Sequence, residues 1–382
     1  MKVLFAGGVT GGHIAPGVAL AERVLRAHPG SEVLFASVAN EVEERMIARR
    51  GLALTKIAER PPGRAAAALG IPRAWLRARR LFASFRPDVV VGLGAGASLG
   101  PAIAAITSRR PLVLLEQNAV PGRTNRWLAS RAAQVCCQWK CAARKLGGRA
   151  KPTGNPVRSE ILEARTLNRP ESRKFFKLDP DVPTLLVMGG SQGAHAINMV
   201  MMEAAGRLAS EKIQVIHAAG QADSPTVFHA YRAAALAAHV SSFLETMHLA
   251  YAAADLAISR AGATSIAELA VAGLPAILVP YPYAKDDHQR ANGRGVAEQG
   301  WGVMVDQADL SAEGVAELIK AMLADRAKLS AMRQEALASA CEDADEVIVK
   351  TLHALASGAE EAVTEDAEEL AAGEAAVTEG AD

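Results

Sequence analysis

Residues 5–13 read "FAGGVTGGH": an apolar run ends in four glycines within six residues, followed by a histidine. Glycine lets a strand turn sharply into a helix and lets backbone N–H groups approach a ligand, as in the anion-binding loops at helix N-termini. The same opening recurs later. Gly189-Gly190-Ser191-Gln192-Gly193-Ala194-His195 follows the apolar run "TLLVM" as Gly7-Gly8-Val9-Thr10-Gly11-Gly12-His13 follows "KVLFA". Taken alone, each stretch reads equally as a tight strand-to-helix connection with no ligand, so the surrounding pattern has to decide.

Short apolar runs alternate with helical ones throughout: "KVLFAG", "EVLFAS", "PDVVVGLG", "PLVLLEQN" and "AQVCCQ", then "TLLVMGG", "IQVIHAAG", "ADLAISRAG", "PAILVPYP" and "WGVMV". Continuous apolarity with helices between marks parallel strands buried on both faces. A chain of 382 residues suits two such domains better than one. The expected fold is α/β, with two Rossmann-like, doubly wound parallel-sheet domains facing a central cleft. "KPTGNPVR", residues 151–158, suits a linker. Residues 1–158 are then the first domain and 159–339 the second, with a helix at about 340–356 packing back on the first. Ligands of such sheets sit outside the C-terminal strand ends, where both glycine loops lie. A dinucleotide fits poorly, because "EVLFAS" ends in Ser37 and Val38 without an acidic residue for the ribose, and the glycine spacing is not G-x-G-x-x-G.

The net charge of +1 conceals an asymmetry, since residues 357–382 carry nine acidic and no basic residues. The remainder has 42 basic against 32 acidic residues, a net +10 that favours anionic partners such as sugar nucleotides or acidic lipid headgroups. The tail has no aromatic residue and reads as a disordered solvating extension. Of the four cysteines, Cys136, Cys137 and Cys141 cluster without a zinc spacing and read as structural thiols in a reducing compartment. The chain begins directly with a strand, and no apolar run reaches bilayer length. A soluble, cytoplasmic protein that touches a membrane from outside is expected.

"IPRAWLRARRLFASFR", residues 71–86, sets Ile71, Trp75, Ala78, Phe82 and Phe85 on one helical stripe and Arg73, Arg77 and Arg80 on the other face. The stripe reads as packing inward. The arginines, beside Leu69 and Leu76, then point outward and suit anionic headgroups.

In order along the chain, "GGVTGGH", "EQN", "GNPVR", "GGSQGA", "SRAGATSIAE" and "DDHQRAN" resemble the peptidoglycan N-acetylglucosaminyltransferases of the MurG family, over residues 1 to about 355. The resemblance implies the two-domain GT-B architecture and inverting transfer of GlcNAc from UDP-GlcNAc to the MurNAc 4-hydroxyl of lipid I, forming lipid II. It implies no cofactor, no active-site metal and no nucleic-acid partner, and it places the enzyme peripherally on the cytoplasmic face of the plasma membrane. His13 becomes the candidate base for the attacking hydroxyl, an imidazole titrating in the useful range, unless it merely orients its loop; Glu116 is the alternative base.

On the donor side the resemblance implies contacts from Thr10, Gly11, Gly12, Asn118, Arg158, Ser191, Gln192, Gly193, Leu244, Met247, Ala263, Glu268, Gln289 and Asn292. N–H groups at Gly190 to Gly193 would stabilise the departing diphosphate. Glu268 would accept both ribose hydroxyls, and the Leu244 backbone would read uracil. Gln289, Asn292, Asn118 and the Ala263 backbone would face the GlcNAc ring. Arg158 would lie by the nucleotide or form a linker salt bridge. The chain departs from the family pattern at the extra Val9, at Gly94-Ala95-Gly96-Ala97-Ser98, which lacks a tyrosine, at Leu115, where a histidine is usual, and in the order Thr264-Ser265. Two other readings keep the donor site: a glycosyltransferase acting on diacylglycerol, and a non-catalytic sugar-nucleotide sensor.

Overall fold

The computed structural model describes residues 1–8, 10–58, 64–190 and 193–358, apart from the side chains of Val42 and of residues 64–69. Val9, Ser191, Gln192, the Leu69 side chain and the acidic tail from residue 359 onward therefore lie outside the described residues.

Two all-parallel sheets are present. In the first, β1 (Lys2–Ala6), β2 (Glu32–Ser37), β3 (Ala53–Lys56), β4 (Val89–Gly92), β5 (Leu112–Glu116), β6 (Gln134–Cys137) and β7 (Ala150–Pro152) take the order β3-β2-β1-β4-β5-β6-β7. In the second, β8 (Thr184–Met188), β9 (Gln214–Ala218), β10 (Ala238–Ser241), β11 (Leu256–Ser259), β12 (Ala276–Leu278) and β13 (Gly302–Met304) repeat it as β10-β9-β8-β11-β12-β13. These are two doubly wound domains, as the repeated opening implied. The segment read as a linker starts as the edge strand β7.

Each sheet reverses its strand order beside its first strand, which opens a crevice at that strand's C-terminal end. The glycines are there because backbone passes close by. Gly7 has φ +91°, and a Cβ on it would lie 2.6 Å from Ser98 Cβ and 2.7 Å from the Gly94 carbonyl oxygen. Gly193, at φ +76°, would drive a Cβ into the Ala219 carbonyl. No side chain fits either loop without moving the turn that follows the neighbouring strand.

Val3, Phe5, Ile14 and Phe35 form one core, Leu185, Ile197, Val215 and Ile258 a second, and a third runs from Leu114 through Trp139 and Val157 to Ile266 and Trp301, joining the domains. The last helix, Ala344–Ser357, leaves the second domain and inserts Ile348, Val349 and Leu352 into the first core. Arg23 clamps it at Glu346 (2.8 Å). Truncating Ile348, fully buried there, removes packed volume from the first domain. Ile348→Ala should cost about 2–4 kcal/mol in urea unfolding, whereas Val347→Ala on the exposed face should change stability by less than about 0.5 kcal/mol.

Candidate active site

The C-terminal edges of the two sheets face each other and are tied by side chains from both. Thr264 Oγ1 donates to the Gly12 carbonyl (2.7 Å), and Gln138 Nε2 donates to the Ala263 carbonyl (3.2 Å). Arg123 forks onto Asp286 at 2.9 and 3.2 Å. Asn292 is completely buried between the domains: its Oδ1 accepts the Ala119 N–H (2.8 Å), and its Nδ2 donates to Asn118 Oδ1 (3.1 Å) and the Ala261 carbonyl (3.2 Å). Two of the three amides expected at the sugar thus meet each other, with Gln289 apart, and a sugar hydroxyl reaches Asn292 Nδ2 only by exchanging one of its two bonds.

His13 is the third residue of the helix Gly11–Ala27, half-buried at the mouth of the first glycine loop. Its Nδ1 lies 3.0 Å from Thr10 Oγ1, and the opposite ring edge faces Gly94, where an added Cβ would sit 3.3 Å from Cδ2 and 3.6 Å from Nε2. Burial, helped by the nearby charge of His288 from the opposite domain, depresses the imidazole to about 4. His13 is therefore neutral at pH 7. In the tautomer whose Nδ1–H donates to Thr10 Oγ1, the Nε2 lone pair is the one that can take a proton.

Glu116, at the end of β5, is 3% exposed and already engaged. Its Oε1 accepts the Asn118 N–H (3.0 Å), and its Oε2 accepts the Gly122 N–H and Asn125 Nδ2 (2.8 and 2.9 Å). Burial raises its carboxyl despite these bonds. The carboxylate thus holds the loop that carries Asn118 and Ala119.

On the donor side, Gly190 and Gly193 both have positive φ and lead into the helix His195–Ser210. His195 opens that helix with Nδ1 3.0 Å from Asp223 Oδ2. Leu244 is buried, and Met247 starts the next helix half-buried. Ala263 begins the helix Ala263–Val271, which carries Glu268. Gln289 Oε1 accepts the Tyr281 N–H (2.9 Å). Arg158 Nη2 reaches Glu268 Oε1 at 3.0 Å, so it forms an ion pair with the very carboxylate expected at the ribose. Tyr251 donates its hydroxyl to Glu268 Oε2 at 2.8 Å. Reading the sequence did not single out Tyr251 or His288: one sits in the apolar "HLAYAAAD" and reads as core, the other begins a helix.

The arginine-rich helix is Arg64–Phe85. Ala74, Ala78 and Phe82 are its buried stripe, and Ala74 touches Gly100 of the helix Leu99–Thr107, so it packs on a helix rather than directly on the sheet. Trp75 is half-buried with Nε1 bonded to Thr107 Oγ1 (3.3 Å). Arg73, Leu76, Arg77 and Arg80 are exposed. No helix among the described residues is long and apolar enough to cross a membrane. Cys136 and Cys137 are buried free thiols; burial pushes the Cys136 thiol up to about 11. Among the described residues no three His, Cys, Asp or Glu side chains are grouped to hold a metal ion.

Residues 3–137 match the glycosyltransferase family 28 N-terminal domain, and residues 184–348 match the family's C-terminal domain. A UDP-N-acetylglucosamine--N-acetylmuramyl-(pentapeptide) pyrophosphoryl-undecaprenol N-acetylglucosamine transferase of Geobacter metallireducens is 39% identical over 359 residues, covering 91% of this chain and 97% of that protein. The like-named protein of an Anaeromyxobacter species is 40% identical, covering 85% of each. The crystal structure of Acinetobacter baumannii MurG superposes with a TM-score of 0.74 at 28% identity, over 92% of this chain and 99% of that one. The chain belongs to glycosyltransferase family 28, among its UDP-N-acetylglucosamine--N-acetylmuramyl-(pentapeptide) pyrophosphoryl-undecaprenol N-acetylglucosamine transferases.

Proposed function

We propose that this enzyme transfers GlcNAc from UDP-GlcNAc to the MurNAc 4-hydroxyl of lipid I with inversion, at the cytoplasmic face of a membrane. The observation that carries the mechanism is the place of His13 at the meeting of the two domains, beside the Gly12–Thr264 bond, with Nδ1 on Thr10 and the opposite ring edge against Gly94. The acceptor oxygen attacks the anomeric carbon as its proton passes to His13 Nε2, and the sugar–phosphate bond breaks with its electron pair leaving on UDP. An imidazole depressed to about 4 is a weak base. The negative diphosphate counteracts that depression, because it stabilises the imidazolium as it forms. Across the cleft, the N-terminus of the helix His195–Ser210 and the Gly190–Gly193 turn face the β-phosphate and take up the charge that develops there. Glu268 holds the ribose, and the loop anchored by Glu116 presents Asn118 towards the sugar. Glu116 thereby serves the sugar site as an organiser, its oxygens being occupied by loop N–H groups.

The lipid-linked acceptor stays in the bilayer, so the enzyme has to dock on it. Arg73, Arg77 and Arg80, flanking exposed Leu76, form the face we assign to anionic headgroups.

The direct test is transfer of labelled GlcNAc to a short-chain lipid I analogue, with diacylglycerol in parallel. Product on the lipid I analogue alone is expected; product on diacylglycerol alone, or donor binding without transfer to either, overturns the acceptor assignment. His13→Ala should lower kcat by about 10²–10⁴-fold, with the UDP dissociation constant from calorimetry unchanged. Glu116→Gln replaces a carboxylate that accepts three N–H bonds by an amide whose NH₂ faces at least one of those donors in either orientation, and should cost about 1–3 kcal/mol in thermal unfolding. Reversing Arg73, Arg77 and Arg80 to Glu should release the protein from anionic vesicles in sedimentation assays, each cation contributing about 1 kcal/mol near the surface.

A further inference from the structure

We infer that Arg50 and Tyr251 are positioning residues for Glu268, and that through it they set the enzyme's preference for a ribonucleotide over a 2′-deoxyribonucleotide donor. The inference rests on the reading of Glu268 as the ribose acceptor.

Charge alternates along a chain of side chains that crosses the domain boundary. Glu22, on the helix Gly11–Ala27, pairs with Arg50 at 2.8 Å. Arg50 pairs with Glu160, its Nη2 on Oε1 and its Nη1 3.5 Å from Oε2. Glu160 lies 3.6 Å from Arg158 Nη1, and Arg158 Nη2 reaches Glu268 at 3.0 Å. The side chains become progressively less exposed inward, from 32% for Arg50 through 26% and 19% to 9% for Glu268. Screening by solvent therefore weakens along the chain, and the last pair is held most firmly. Arg50 belongs to the first domain and Glu160 to the helix Ser159–Leu162, which packs on the second, so this pair bridges the two domains.

At the inner end, Glu268 receives Arg158 on Oε1 and the buried Tyr251 hydroxyl on Oε2. A carboxylate oxygen offers two lone pairs. Each Glu268 oxygen thus keeps one, and the two partners fix the plane in which those remaining pairs lie. A vicinal diol needs that arrangement: two acceptors at a set spacing, held before the ligand arrives. Arg158 in turn is held from behind by Glu160, whose own position depends on Arg50. Arg158 Nε is buried without a partner, so the guanidinium still has a donor to spare when both of its carboxylates are engaged. Tyr251 and Arg50 need not touch the nucleotide. Their effect is to remove the rotational freedom of Glu268, which would otherwise be lost on binding.

The test measures dissociation constants for UDP and for 2′-deoxy-UDP by titration calorimetry on the full chain, with KM for UDP-GlcNAc alongside. Glu268→Gln is the reference variant, Tyr251→Phe and Arg50→Met are the probes, and Arg50→Lys is the conservative rescue. Tyr251→Phe is expected to weaken UDP about tenfold, to raise KM more than it lowers kcat, and to shrink the preference for UDP over its 2′-deoxy analogue. Arg50→Met is expected to do the same to a smaller degree, and Arg50→Lys to recover most of it. Arg50 lies on the surface, so its variants report even if Tyr251→Phe fails to fold. If Glu268→Gln removes the preference while the probes retain it, the positioning inference is overturned and the ribose reading stands. If Glu268→Gln itself retains the preference, the ribose reading falls and takes the inference with it.

Discussion

A buried amide sits at the centre of the contacts that hold the two halves of this enzyme in register. Asn292 spends its oxygen on a backbone N–H of the first domain and its two protons on one acceptor from each domain. Buried amides are costly to leave unpaired, so separating the domains exposes Asn292, Asn118 and Ala119 together, and closing them satisfies all three at once. In the proposed site the amides of Asn292 and Asn118 assigned to the sugar already bond each other across the domain junction. Bonds from a sugar hydroxyl would there add to, or exchange with, protein–protein bonds of similar strength.

The two parallel sheets were legible because parallel strands covered on both faces must be apolar throughout, and each glycine cluster marks where a first strand turns into its helix. "TLLVM" before Gly189 and "KVLFA" before Gly7 carry that information locally. The site was legible only as far as the motifs reach. The sequence allows Arg158 either a nucleotide contact or a linker salt bridge, and the structure pairs it with Glu268. Tyr251 was not legible. An aromatic residue in an alanine-rich helix carries no sign that its hydroxyl finds a carboxylate 17 positions further on. Pairings of this kind depend on how two helices are brought together, and side-chain periodicity records only which face is turned inward. Glu116 illustrates the same gap, since nothing in "LLEQN" announces that the carboxylate turns back to bind its own loop.

The closing helix affects the order in which the protein is made. Ile348, Val349 and Leu352 complete a core whose other members include Val3, Phe5 and Ile14, so the first domain is finished by residues made after the whole second sheet. The second sheet, from Thr184 to Met304, is continuous in sequence and can close without help from later strands. The first core therefore stays incomplete, at the positions that Ile348, Val349 and Leu352 fill, until the whole second sheet has been made. Domain order in the polypeptide and order of completion are reversed.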